Sequence, residues 1–280
     1  MKFKRITIIG MGLIGGSIGK AALENNVAEE VAGVCRRQVS LDKAIKEKSL
    51  TEGFINNYAK AVKGSEIIII ATPVHTIKDI LKELAGILDD KNIIVTDAGS
   101  TKKEIVDCAA DFRDKFSFVG AHPLAGSEKT GVKNSDKDLF KDTLCILTRK
   151  EQDDKSNFEK IRIFWETLGA RVDTVTPEEH DAILSITSHL PHLVAYALAG
   201  VLDKKHRKFT STGFKDTTRV ASSDPVLWSD IFLSNKDNVL EAITRFKDMI
   251  SGIEDDVRNG RENKLKEKLK ACKRMRDEIL

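Results

Sequence analysis

The first seventeen residues restrict this chain more than any other stretch. Lys2–Gly10 (KFKRITIIG) is a β-branched, apolar run that breaks directly into GMGLIGGS. Gly10, Gly12 and Gly15 make a G-x-G-x-x-G between that run and a helical segment, Leu13–Asn25. One glycine makes the tight turn, one lets a pyrophosphate approach the backbone, and one lets helix and strand pack closely. The free N–H groups at the helix start then receive the anion. In this strand–turn–helix context the motif predicts a dinucleotide-binding turn, with Leu13 and Ile14 beside the glycines as cofactor contacts.

The second strand, Glu30–Cys35, ends about 20 residues after the last of those glycines, where an NAD fingerprint places a carboxylate for the ribose 2′-hydroxyl. Here the chain has Cys35, Arg36 and Arg37 instead. Two guanidiniums without an acid suit a 2′-phosphate. The reading therefore favours NADP over NAD and leaves NAD open.

Further along, strand and helix alternate. A helix over Leu41–Lys48 and a short strand at Phe54–Asn56 precede Glu66–Ala71 (EIIIIA), a continuous apolar run of the kind expected for a parallel strand covered on both faces. Asn92–Asp97, Phe116–Gly120, Thr143–Thr148 and Ala170–Val175 follow as strands, with a helix over Asn157–Leu168. This pattern predicts an α/β Rossmann-type, doubly wound parallel sheet, in which ligands bind outside the carboxyl ends of the strands. Thr72-Pro73, Ser100 and His122 all fall at such ends. His122, held by Pro123, is where such a fold places a base.

After Thr176-Pro177 only helical periodicity remains; Leu265, Leu269, Cys272, Met275 and Ile279 recur at spacings of three and four. The expected division is a dinucleotide-binding domain, residues 1–176, and an all-α domain, residues 177–280, whose apolar positions predict a homodimer. His180, His189 and His192 cluster in the helical half, but no carboxylate or thiol completes a ligand set at recognisable spacing, so no metal is expected. Arg219 can anchor a carboxylate, or pair with Asp181 or Asp216.

The net charge of +3 over 280 residues gives no argument for nucleic acid or an anionic membrane. Four cysteines without a CxxC pair fit a reducing compartment. No signal-peptide pattern opens the sequence, and no apolar run approaches the ~20 residues that span a bilayer. A cytoplasmic enzyme without membrane or nucleic-acid partners is expected.

Taken together, GMGLIGGS, IIIIATPV, VTDAGSTK, GAHPLAGSEKTG, TSHLPH and GFKDTTRVASSDPVLW with the following IFLSNK resemble the prephenate/arogenate dehydrogenase family of tyrosine biosynthesis, in its monofunctional form. The resemblance covers nearly the whole chain. It implies an active site between a Rossmann domain and a helical dimerisation domain. The implied reaction oxidises prephenate with NAD or NADP to 4-hydroxyphenylpyruvate and CO2. It implies that His122 takes the proton of the C4 hydroxyl, and that Ser100 bonds that hydroxyl or orients His122 and the nicotinamide. It places Arg219 on a substrate carboxylate and His192 against the substrate. Ser127 and Glu128 fall in the loop at the entrance, and Trp228 near the site, as a contribution of a second subunit or as an interfacial residue. Asp216, Asp181 and His180 match positions that orient Arg219 or the domain interface, and Asp216 and His180 are counted among the substrate-binding residues. Lys215 lies in a motif without an assigned role.

Arogenate is the alternative substrate, through an arogenate-specific or dual-specificity cyclohexadienyl dehydrogenase. Its ammonium calls for an acid near position 192, and His192 is not one, which favours prephenate. Inhibition by tyrosine is compatible with the family. A 3-hydroxyacid dehydrogenase would rely on a lysine from the helical half, and a dinucleotide sensor would need no base.

Overall fold

The computed structural model describes residues 2–126, 130–151 and 153–279. Its sheet has eight strands: β1 (Phe3–Ile9), β2 (Ala28–Cys35), β3 (Glu52–Ile55), β4 (Ile67–Ile70), β5 (Ile94–Asp97), β6 (Ser117–Pro123), β7 (Leu144–Thr148) and β8 (Arg171–Val175). They run in the order β3-β2-β1-β4-β5-β6-β7-β8. The first six are parallel. The order reverses between β1 and β4, and this switch point opens the crevice in which open α/β sheets bind ligands.

The isoleucines of β4 show why the strand reads as unbroken apolar sequence. Ile67 and Ile69 join a core beneath α1 (Leu13–Glu24) and α6 (Lys155–Thr167). Ile68 and Ile70 join the opposite core beneath α4 (Val74–Ala85) and α5 (Lys103–Ala110). Successive side chains point to opposite faces, and both faces are covered.

Three features depart from the sequence reading. β7 pairs with β6 antiparallel; among the described residues between them, 124–126 and 130–143, the only helical element is a short 3-10 turn, Val132–Asn134, and there is no helical crossover. β6 extends through His122 and Pro123, so the histidine lies within the strand, opposite Ile146. Helix α5 follows Lys102 directly. Its short apolar stripe, Ile105, Val106 and Ala109, is buried and is easily missed in eight residues.

The second half is helical: α7 (Pro177–Leu184), α8 (Leu190–Val201), α9 (Thr212–Thr218), α10 (Pro225–Ser234), α11 (Lys236–Arg258) and α12 (Glu262–Asp277), with short 3-10 turns between some of them. Thr176 begins α7 with a reciprocal capping box to Glu179. A π-turn over Ser185–His189 joins α7 to α8, so Pro177–Val201 runs as one helix of 25 residues. This corrects the expectation that nothing here matches a bilayer span. By length and composition this helix qualifies, although polar residues at helical intervals break up its apolar run. Most of its surface is not buried within the chain, but its polar residues His180, Asp181 and His189 are, which ties it to the sheet domain.

Candidate active site

The dinucleotide groove is built on Gly10. Its φ is +100°, and a Cβ there would lie 2.6 Å from the carbonyl oxygen of Ala71. Gly15 is equally constrained, since a Cβ would come within 2.1 Å of the Gly10 carbonyl oxygen. At Gly12 an added Cβ would meet nothing within 4 Å, so this backbone faces open space. The chain therefore offers a glycine cradle at a helix N-terminus, which fits a pyrophosphate.

Three cavities follow one another along the carboxyl edge of the sheet. The first, about 400 Å³, is lined by Gly10, Gly12, Cys35, Arg36, Arg37, and Thr72-Pro73. Gly12, Thr72 and Pro73 also line the second, of about 290 Å³, together with Leu13, Ile14, Ser100 and His122. Ser100 and His122 in turn line the third, of about 550 Å³, whose far wall carries His189, His192, Arg219 and Trp228. Ser100 and His122 thus stand where the dinucleotide groove meets a pocket roofed by the helical half.

The protonation states around His122 follow from its partners. The Asp181 carboxylate accepts the backbone N–H groups of Lys102 (2.7 Å) and Lys103 (3.0 Å) at the start of α5. Burial pushes its pKa up, but the bonds from His180 and these N–H groups outweigh that and hold it below the usual range. An ionised Asp181 only accepts, so His180 Nδ1 donates to it at 2.8 Å. Burial keeps His180 neutral by lowering its pKa. Its Nε2 is then a lone pair and accepts from His122 Nδ1 at 2.9 Å. His122 Nε2 is left as an unprotonated acceptor. Burial, then the neighbouring His180, Lys102 and His189, depress the His122 pKa well below 6.5. The arrangement makes His122 a neutral, oriented base.

Ser100 is brought to this base by a buried ion pair. Asp97 pairs with Lys102, both fully buried, and also accepts from Gly99 (2.8 Å) and Ala121 (3.2 Å). These bonds fold the Ala98–Lys102 loop against the strand carrying His122.

On the helical side His192 Nδ1 donates to the Ser188 carbonyl at 2.9 Å, and its ring stacks on Trp228 with centroids 3.5 Å apart. Trp228 therefore lines the pocket of its own chain. Arg219 is the one lysine or arginine among the described residues of that pocket wall. Two of the residues assigned to substrate lie elsewhere. His180 is buried behind His122 and does not reach the pocket wall, and Asp216 is exposed on α9 outside it. Asp181 is committed to His180 and the start of α5, so it does not pair with Arg219. Ser127 and Glu128 lie outside the described residues. Sequence reasoning gave no role to His189 or to the Asp97–Lys102 pair. Asp97 was visible only as the last residue of a strand, and Asp181 as a candidate partner of Arg219 or of the domain interface.

The fold and this site define a dinucleotide-dependent oxidoreductase with a helical substrate domain. The family model for the prephenate dehydrogenase nucleotide-binding domain matches residues 18–174, and that for the prephenate dehydrogenase dimerization domain matches residues 176–271. The chain belongs to the prephenate dehydrogenase family. It is 35% identical to prephenate dehydrogenase of Bacillus subtilis, over 89% of this chain and 68% of the relative. It is 32% identical to cyclohexadienyl dehydrogenase of Zymomonas mobilis, over 87% of this chain and 85% of that protein. The crystal structure of A. aeolicus prephenate dehydrogenase in complex with hydroxyphenyl propionate and NAD+ superimposes with a TM-score of 0.93 at 34% identity, covering 100% of this chain and 99% of that one.

The buried histidines make stability depend on pH. Burial lowers the His189 pKa from 6.5 to about 4. Between those values the unfolded chain binds the proton and the folded chain does not, so stability falls as pH drops from 6.5 toward 4. For His189 alone the loss reaches about 3 kcal/mol. Urea melts across that range are expected to show this slope, and a shallower one for His189→Asn. Parallel slopes for the two proteins would contradict the assignment.

Proposed function

We propose that this chain is an NAD(P)-dependent prephenate dehydrogenase, converting prephenate to 4-hydroxyphenylpyruvate and CO2. The observation that carries this reading is the free Nε2 lone pair of His122, held at the junction of the dinucleotide groove and the Arg219 pocket. The dinucleotide, when bound, accepts the hydride from ring C4. His122 takes the C4 hydroxyl proton as the C–H bond breaks, and Ser100 positions that hydroxyl. As the C–CO2 bond breaks, its electron pair completes the aromatic ring. The resulting phenolate oxygen recovers the proton from His122, so no net proton is released. Arg219 holds a substrate carboxylate. Prephenate is favoured over arogenate because His192 supplies no negative charge for an ammonium at position 192, and the one acid of the described wall, Asp224, is engaged with the Val226 N–H at the start of α10. Tyrosine shares the hydroxyphenyl end of the product and is an expected competitor.

Turnover of prephenate and arogenate, each with NAD and NADP and with tyrosine as competitor, tests the reading directly. His122→Asn is expected to lower kcat roughly 10²–10⁴-fold with little change in KM. Arg219→Ala is expected mainly to raise KM for prephenate. The reverse pattern in the two variants would overturn the roles.

On the same reading NADP is the preferred cofactor. Arg36 and Arg37 line the groove at the end of β2, where no carboxylate follows the strand. Replacing both by alanine is expected to raise KM for NADP roughly 10-fold or more while KM for NAD changes much less. Equal changes for the two cofactors would remove the preference.

We also read the chain as a cytoplasmic homodimer. Four free cysteines support a reducing setting. Val201, Phe209, Leu233, Val257 and Met275 leave apolar surface exposed across the helical half, the half that matches a dimerization domain. Sedimentation at micromolar concentration is expected to give twice the chain mass. A monomer there would refute the assembly.

A further inference from the structure

His189 is 1% exposed and lies between α7 and α8 at the end of the π-turn. Its hydrogen bonding is settled by Asn235. The Asn235 side-chain amide donates to the Asp181 carbonyl oxygen at 2.7 Å, and its oxygen accepts from Asn238 at 2.8 Å. These two bonds fix which end of the amide is nitrogen. That nitrogen also faces His189 Nδ1 at 3.2 Å, so Nδ1 accepts, and the ring proton of neutral His189 is on Nε2. Burial keeps the ring neutral near pH 7.

Nε2–H is then a buried donor with no partner among the described residues. The His189 ring lines the same pocket wall as Arg219, His192 and Trp228, and faces Trp228 edge-on at 6.2 Å. A buried donor left unpaired is costly. His192 presents the opposite chemistry: its Nδ1 is spent on the Ser188 carbonyl, so its Nε2 is an acceptor. Of the two histidines three residues apart, only His189 offers a neutral donor.

We propose that His189 is a substrate-binding residue whose Nε2–H donates a hydrogen bond to an oxygen of the bound substrate. This assignment rests on the function proposed above. The substrate of that reading offers acceptor oxygens of three kinds, a hydroxyl at one end, a side-chain keto oxygen, and carboxylates on the ring and the side chain. A neutral donor binds any of them without adding charge beside the base His122.

The test uses two replacements that separate the two ring nitrogens. His189→Asn keeps a carbonyl oxygen near the position of Nδ1, so the Asn235 contact is retained and the Nε2 donor is lost. His189→Gln places an amide N–H₂ near the position of Nε2. The Asn variant is expected to raise KM for prephenate roughly 10–100-fold, with kcat within a few-fold and dinucleotide affinity unchanged. The Gln variant is expected to recover a measurable part of that loss, which a purely structural role for the ring would not give. Calorimetric titration with 4-hydroxyphenylpropionate and with phenylpropionate identifies the oxygen. A penalty of the Asn variant with both ligands places the bond on the side-chain carboxylate, and a penalty only with the first places it on the hydroxyl. A raised KM for prephenate with no penalty for either ligand places it on the keto oxygen or the ring carboxylate, which both ligands lack.

An Asn variant with unchanged KM and unchanged affinity for both ligands, or a Gln variant no better than the Asn variant, overturns the assignment. If the unmutated protein fails to oxidise prephenate, the proposed function falls and this assignment with it. If the unmutated protein turns over normally and only the variants miss expectation, the His189 assignment alone falls.

Discussion

The Asp181 carboxylate is buried where the two halves of the chain meet, and it bonds to both. It comes from the first helix of the helical half, yet it receives the backbone N–H groups that open α5 in the sheet domain. A carboxylate at a helix N-terminus meets orphan donors and the positive end of the helix dipole. The same group fixes the His180 proton on Nδ1, and so fixes which nitrogen of His122 is free. One interaction therefore couples domain packing to the tautomer of the base. Loss of that carboxylate would leave two buried N–H donors and one buried imidazole N–H without their acceptor, a cost well beyond that of one hydrogen bond.

Charge is arranged so that this base stays neutral beside a pocket suited to an anion. Asp97 and Lys102 are fully buried, and such a pair repays its desolvation only when further bonds satisfy it. Here Gly99 and Ala121 supply them. The pair adds no net charge, and its ammonium helps to depress the His122 pKa. His180, His189 and His192 are depressed as well, each first by burial. The wall thus has one guanidinium among its described residues, Arg219, beside neutral rings and one carboxylate, Asp224, which accepts the Val226 N–H at the start of α10. A carboxylate is attracted to that point, while a lower pKa keeps the base unprotonated at the expense of some proton affinity.

Much of this was legible in the sequence, and the exceptions have physical causes. The glycine turn, the isoleucine strand and the polar strand ends were readable because local sterics and two-sided burial dictate them. Ser100, His122, His192, Arg219 and Trp228 do converge on one pocket. The place of His180 was not readable. Adjacent positions on a helix point in different directions, and whether a histidine faces a cavity or supports another histidine depends on packing between domains. Asp216 sits in a motif with Arg219, but its carboxylate faces solvent. The antiparallel β7 was hidden because an apolar strand carries no mark of its direction. That the 25-residue helix is long and apolar enough to match a bilayer span was hidden because polar residues at helical spacing interrupt it in sequence while leaving its average character apolar.

Hydride transfer sets a last constraint, because donor and acceptor carbons must approach to roughly 3–3.5 Å. Ser100, His122 and Pro123 line both the cavity of the glycine turn and the cavity of Arg219, so the two cavities meet at these residues. The substrate side also depends on α10, which carries Leu227 and Trp228. Two contacts pin α10 to the sheet domain. Asp230 accepts from the His75 backbone N–H at the start of α4 (3.0 Å) and lies 2.9 Å from His75 Nδ1. Ser234 and Thr101 join hydroxyls at 3.1 Å, one residue from Ser100. One anchor falls in the first turn of α4, just after the β4 strand end, and the other on the loop that follows β5; both strand ends also line the dinucleotide groove. The helical wall of the substrate pocket is thus referenced to the same backbone segments as the cofactor. Relative position across the reacting gap is then set by packing and hydrogen bonding, and does not rely on the ligands alone.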